Sequence, residues 1–162
     1  MVFASFFAAS AQSYQVHAVY IYSYMKYIKW PESSENEPFK LGVLGDSEAT
    51  PFLEKMAATK KAGNKSIELL KLSSTAGIKV HLLDMLLIPT GELDSLAMVN
   101  LSTLASQESI VLITEENKFP SGGHINFVKE NSKLFFELDR QALEGAGLRV
   151  ASELMALARP VN

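Results

Sequence analysis

Apolar residues recur at helical intervals from Tyr14 to Trp30: Tyr14, His17, Ile21, Tyr24 and Ile28 fall three or four apart, and Val16, Val19, Tyr20 and Tyr27 widen the stripe. Pro31 stops this helix, because proline removes a backbone donor and collides with the preceding turn. After the polar stretch Glu32 to Pro38, the run Phe39 to Gly45 reads as a strand closed by the turn residues Gly45, Asp46 and Ser47. Thr50 as N-cap with Pro51 at N1 opens the next helix, with Phe52, Leu53 and Met56 on its apolar side. Ser66 to Leu72 is the next strand candidate. Leu82 to Ile88 is almost continuously apolar, as expected of a strand covered on both faces, with Asp84 as its one oddity. Leu93, Leu96, Val99 and Leu104 mark a helix, and Ser109 to Ile113 a second doubly buried strand.

The polar loop Thr114 to Gly123 follows, with Pro120 and the Gly122-Gly123 pair. His124 to Val128 and Lys133 to Leu138 then form a hairpin around Glu130, Asn131 and Ser132. Leu143, Ala146, Leu148, Val150, Leu154, Leu157 and Ala158 mark a C-terminal helical region, weakened at its start by Gly145 and Gly147 and closed by Pro160. Strands alternating with helices over short connections predict one α/β domain, a mixed sheet with helices packed on both faces and a C-terminal antiparallel hairpin.

Composition narrows the function classes. The chain has 162 residues, 48% hydrophobic and 20% charged, enough for a full core without metals or disulfides. It has no cysteine, so thiolate metal centres and thiol nucleophiles are excluded. A net charge of -3 offers no footprint for phosphate backbones or anionic lipid, and no nucleic-acid partner is expected. Val2 to Ala11 (VFASFFAASA) ends in the Ala9-Ser10-Ala11 pattern that a signal peptidase accepts, although no basic residue precedes Lys26. Residues 1–11 therefore read as a partial signal peptide and 12–162 as the mature, exported domain. No other stretch is long and apolar enough to insert in a membrane.

Candidate chemistry is sparse. Gly45-Asp46-Ser47 at a strand end suits the nucleophile of a GDS-type esterase, but no Asp-x-x-His follows to supply a base, which leaves these residues as turn formers. The same turn could cradle an anion at the following helix N-terminus, yet the chain carries no G-x-G-x-x-G or Walker pattern. His17, His81 and His124 have no metal-ligand spacing, His17 reads as a packed core or interface residue, His124 as partly exposed, and Glu115-Glu116 as a solvated pair. No catalytic residue, metal or cofactor is expected. The aromatics Tyr14, Tyr20, Tyr22, Tyr24, Tyr27 and Trp30 exceed what one buried stripe uses, so some should face a partner or a second copy of the chain.

Several blocks, in order, resemble one family. The helix His17 to Pro31 (HAVYIYSYMKYIKWP), the strand Phe39 to Gly45, the segment Ile110 to Gly123 with its Gly-Gly turn, and Asn131 to Ala158 with Gly147-Leu148 before the last helix are similar to the YfiR-like family. Asp139 stands where that family commonly has Asn, a change that keeps a capping role, and the disulfides of some members have no counterpart here. The resemblance implies a periplasmic, non-catalytic regulatory protein that represses a membrane-bound diguanylate cyclase by binding its periplasmic domain. It also implies release by a peptidoglycan-associated outer-membrane lipoprotein, and a homodimer. Beside the shared motifs, Tyr24, Lys29, Glu32, Arg149 and Ser152 are the candidate partner-binding residues. Two other function classes stay open: a domain binding an amino-acid-like small molecule, favoured by polar groups converging in a pocket, and a hydrolase built on Ser47, favoured by a His or carboxylate beside it.

Overall fold

The computed structural model describes residues 4–31, 36–76, 80–115 and 123–160. In chain order the elements are α1 (Ala4–Tyr27), β1 (Ile28–Lys29), β2 (Phe39–Leu44), α2 (Thr50–Thr59), β3 (Lys61–Ala62), β4 (Lys65–Leu72), a 3-10 turn (Val80–Leu82), β5 (Met85–Ile88), α3 (Ser95–Glu108), β6 (Val111–Glu115), β7 (Ile125–Glu130), β8 (Lys133–Leu138), α4 (Arg140–Gly145), β9 (Arg149–Val150) and α5 (Ser152–Leu157). The main sheet has seven strands in the order β3-β4-β2-β5-β6-β7-β8, and β1 pairs with β9 in a separate ribbon. β4, β2, β5, β6 and β7 run parallel, and β3 and β8 close the two edges antiparallel. The architecture is the mixed α/β one that the hydrophobic pattern predicts.

Strand geometry sends successive side chains to opposite faces, and the burial follows that period. Leu41, Val43, Met85, Leu87, Val111, Ile113, Ile125 and Phe127 share a core with Ile21 and Tyr24 of α1, Leu53 and Met56 of α2, Leu143 and Leu154. Leu44, Leu86, Ile88 and Leu112 belong to a second core, with Met98, Leu101 and Ala105 of α3. The β7–β8 hairpin turns on Asn131 and Ser132, both at positive φ (50° and 63°), the signature of a tight two-residue turn matched to the strand twist.

Four local expectations are corrected. The first helix ends at Tyr27 rather than Trp30: Ile28 and Lys29 leave it to pair with Val150 and Arg149. That pairing takes Ile28 and Lys29 out of the helix, Pro31 bars helical geometry at Trp30, and the Trp30 indole N–H donates to the Asp84 carbonyl at 3.1 Å with its ring edge-on to Phe39. The strand expected over Leu82 to Ile88 begins only at Met85, because Asp84 uses its carboxylate to accept the Lys40 N–H at 2.8 Å and its own N–H to reach the Lys40 carbonyl at 2.9 Å. On α3 the buried stripe is Met98, Leu101 and Ala105, whereas Leu96 and Val99 are exposed at 71% and 59%. The helix starts at Ser95 with Asp94 as its cap, accepting from the Ala97 N–H at 2.8 Å, and that start sets the face. The C-terminal helical region is two helices split by β9, because Gly147 adopts φ +81° and turns the chain back toward β1.

Smaller details follow the same physics. Ala49, not Thr50, occupies the cap of α2, and the Ser47 hydroxyl accepts the Ala49 N–H in the turn before it. Asp139 caps α4 by accepting the Ala142 N–H at 2.9 Å, as its sequence position implies.

Candidate functional site

β2 is followed in sequence by β4 on one side of it and, later, by β5 on the other. The order reverses there, and connecting loops diverge at the carboxyl ends of the strands to leave a crevice. A cavity of about 360 Å³ occupies that place. Its walls are Asp46, Ser47 and Glu48 after β2, Pro89 and Thr90 after β5, Glu115 ending β6, Phe127 and Lys129 on β7, Leu134 on β8, and Tyr14 and His17 from α1. Gly45 makes the turn into it at φ +66°, a left-handed conformation that costs any other residue energy.

The α1 wall is a stack. Lys129 Nζ lies 5.4 Å over the Tyr14 ring, Tyr14 stacks on His17 at 5.1 Å, and His17 meets Phe127 at 4.4 Å. His17 is 2% exposed and Glu115 is largely buried beside it. His17 Nδ1 lies 2.9 Å from the Ser13 carbonyl, which can only accept, so that nitrogen carries a proton. Nε2 faces Glu115 Oε1 at 3.4 Å. Oε1 is buried and accepts no hydrogen bond among the described residues. Thr90 Oγ1 donates to the Glu115 carbonyl at 2.9 Å and ties the β5 loop to the end of β6.

Beneath the crevice, His124 pins the strands that carry Glu115 and Phe127. The Leu112 N–H donates to His124 Nδ1 at 3.0 Å, the His124 N–H donates to the Leu112 carbonyl, and its carbonyl accepts from Asp139. Burial lowers its pKa to about 4, with the nearby Asp139 charge opposing, so the ring is neutral with its proton on Nε2. The expectation that His124 is partly exposed is therefore corrected; it is 1% exposed. Next to it Thr114 donates to Asn126 Oδ1 at 3.0 Å, and Asn126 Nδ2 donates to Glu137 at 3.4 Å, a buried polar chain along β6, β7 and β8.

The candidate partner residues fall in three places. Lys29 and Arg149 are exposed and directly opposite each other in the β1–β9 ribbon, with Ser152 exposed at the start of α5. Glu32 lies outside the described residues. Tyr24 is corrected: it is 0% exposed, packed edge-on to Phe136 at 5.1 Å and near Phe127, so it forms part of the core and of no surface. Burial pushes its hydroxyl pKa well above the usual tyrosine value. The other aromatics of the segment, Tyr14, Tyr20, Tyr22, Tyr27 and Trp30, are also packed against the core rather than turned outward. The surplus is absorbed by Phe127, Phe136 and Phe39 opposite them.

Among the described residues Ser47 gains no base. Its hydroxyl accepts the Ala49 N–H at 3.1 Å, a turn-forming role, although it shares the cavity with His17 and Glu115. Glu116 lies outside the described residues, and Glu115, expected with it as a solvated pair, is instead largely buried. Nothing in the sequence joins it to His17, 98 positions away. Among the described residues no group of three His, Cys, Asp or Glu side chains is arranged to hold a metal ion, and no helix is long and apolar enough to cross a membrane.

The fold is thus a mixed α/β domain with a crevice at its switch point. A family model described as YfiR/HmsC-like matches residues 14–159, and the chain belongs to that family. Among curated proteins none matches it.

Proposed function

We propose that the chain is a non-catalytic periplasmic regulator that represses a membrane-bound diguanylate cyclase by docking on its periplasmic domain, and so controls cyclic-di-GMP signalling. Membership of the YfiR/HmsC-like family over residues 14–159 carries this reading. Residues 1–11 serve export and residues 12–162 are the working domain. Repression is a population shift: the regulator binds an inactive cyclase conformation better than the active one. An outer-membrane lipoprotein that binds the regulator removes it by mass action, and the chain acts as a homodimer.

The ribbon supports a docking role. Two like charges placed opposite each other in an antiparallel pair repel, and Lys29 and Arg149 hold that arrangement at the surface. A partner carboxylate between them relieves the repulsion, which favours an acidic docking segment at Lys29, Arg149 and Ser152. The test is capture of the tagged, exported protein from its own cell envelope, with bound proteins identified by mass spectrometry. Recovery of a membrane protein carrying a diguanylate cyclase domain, lost with Lys29→Glu and Arg149→Glu, is the expected result. Recovery of no cyclase, or of the same amount with both substitutions, overturns respectively the target and the surface.

A second reading has an observation of its own. Polar groups converge in the switch-point crevice, which favours a small-molecule binding module over a purely flat docking protein. Esterase chemistry has no such support.

A further inference from the structure

We infer that the end of the domain carrying Lys26, Lys29, Lys60, Lys61 and Arg149 is an electrostatic docking face for an anionic phospholipid surface. Lipid contact of this kind goes beyond the repression proposed above and needs no protein partner. α1 and α2 both finish at the amino ends of the strands. Lys26 is in the last turn of α1, Lys60 caps the end of α2, and Lys61 follows in β3 beside the start of β4. Lys29, next to the Trp30 indole that reaches Asp84 before β5, stands opposite Arg149. All five are exposed, and among the described residues none of them forms an ion pair. The described acids near these strand starts, Glu37 and Asp84, are matched by Lys40 and Lys65, and Asp84 accepts the Lys40 N–H.

Tyrosines give two of these ammonium groups a half-buried aromatic base. Lys60 Nζ lies 5.8 Å from the centre of the Tyr22 ring, and Lys26 Nζ lies 5.3 Å from that of Tyr27. Val19, Tyr22 and Lys26 share one face of α1, three and four residues apart, with Val19 exposed. Lysines around amphipathic rings and a small apolar side chain match the headgroup level of a bilayer, where ammonium meets lipid phosphate and tyrosine meets the interface. The charges are spread over two helices and three strands, the breadth of a surface rather than of one bound peptide. The net charge of -3, which by itself offers no footprint for anionic lipid, conceals this face. Asp46, Glu48, Glu92 and Glu115 gather at the opposite, carboxyl ends of the strands. Six-residue strands such as β2 hold the two ends about 20 Å apart, more than two screening lengths at about 0.15 M salt, so a surface at the basic end feels that end alone.

Co-sedimentation of the whole chain with vesicles of phosphatidylglycerol and phosphatidylcholine, against phosphatidylcholine alone, tests the face. A lysine held at an anionic surface contributes about fivefold, so five cations give about a thousandfold and half-binding near about a millimolar lipid. Expected are binding to the anionic vesicles alone, a loss of about tenfold or more between about 0.05 and 0.5 M salt, and a loss of about twentyfold in the double variant Lys26→Gln, Lys60→Gln. That variant keeps Lys29 and Arg149, which separates its effect from that of the partner-docking substitutions. Lys133→Gln, on β8 at the opposite edge of the sheet, should change binding by less than about twofold. All three positions are exposed, and unchanged thermal melts establish that the variants are folded. No binding at several millimolar lipid, equal binding to neutral vesicles, or equal losses in the Lys133 and double variants each overturns the inference. Displacement from the vesicles by soluble polyglutamate at equal charge also overturns it and assigns the face to an acidic protein segment. None of these outcomes depends on whether a cyclase is recovered.

Discussion

His124 makes the stability of this domain depend on pH in a narrow and calculable window. Its pKa is about 4 in the folded chain and 6.5 when exposed, because burial opposes the charged ring and Nδ1 is occupied accepting the Leu112 N–H. Above pH 6.5 both states are neutral at this position and nothing changes. As pH falls from 6.5 the unfolded chain takes up a proton that the folded chain refuses, so stability declines until the folded ring titrates near pH 4 and then levels off. The gap between 6.5 and about 4, at about 1.4 kcal/mol per pH unit, is worth about 3 kcal/mol. The perturbation is His124→Asn, whose side-chain oxygen can still accept from Leu112 but which carries no titrating group. Urea denaturation of both proteins between pH 7 and pH 4, read by circular dichroism, isolates the histidine because carboxylate contributions cancel in the difference. The wild-type advantage should shrink by about 3 kcal/mol across that interval, with a maximum slope near one proton. A difference that stays constant to within about 0.5 kcal/mol would show that His124 is not a buried neutral acceptor, and the pinning of β6 to β7 would have to be reassigned.

Two further predictions test the packing. Tyr24→Phe removes a hydroxyl that is buried without a partner among the described residues, so the variant should be as stable as wild type or more stable by about 1 kcal/mol, and should capture the same protein partner. A loss of stability in urea titration would mean that the hydroxyl is satisfied. On α3, Leu101→Ala should cost about 2–5 kcal/mol while Leu96→Ala stays within about 0.5 kcal/mol, and the reverse order would refute the assigned face of the helix.

The legible part of the fold was the part encoded by period and punctuation. β2, β4, β6 and the β7–β8 hairpin lie where apolar runs and turn residues place them, because both signals are local. The failures have a common cause in long-range competition. Ile28 and Lys29 read as the last turn of a helix until Val150 and Arg149, more than a hundred positions away, offer strand partners. Leu96 and Val99 look like core positions by hydrophobicity, and only the cap at Asp94 and the contact with the sheet select Met98 and Leu101 instead. The site was less legible still. The Gly45 turn marks one lip of the crevice in the sequence, but Glu115 resembles any loop acid until α1 lays His17 against it. Tyr24 carried the opposite error: amphipathic tyrosine suits an interface, and the same ring suits a core when Phe127 and Phe136 stand opposite.

One element belongs to both surfaces. α1 gives Tyr14 and His17 to the crevice and passes directly at Tyr27 into Ile28 and Lys29 of the ribbon. Between them Ile21 and Tyr24 are fully buried, and close-packed interiors move between discrete arrangements rather than yielding gradually. A ligand in the crevice can therefore alter docking at the ribbon only if it binds two arrangements of α1 with different affinity. Such coupling is reciprocal. If a ligand of the crevice changes partner affinity by about tenfold, about 1.4 kcal/mol, then the partner must change the affinity of that ligand by the same factor. Measuring the affinity of a crevice ligand for the free chain and for the chain loaded with its captured partner decides the matter. Equal affinities would make the crevice and the ribbon two independent sites on one domain, however tightly each binds.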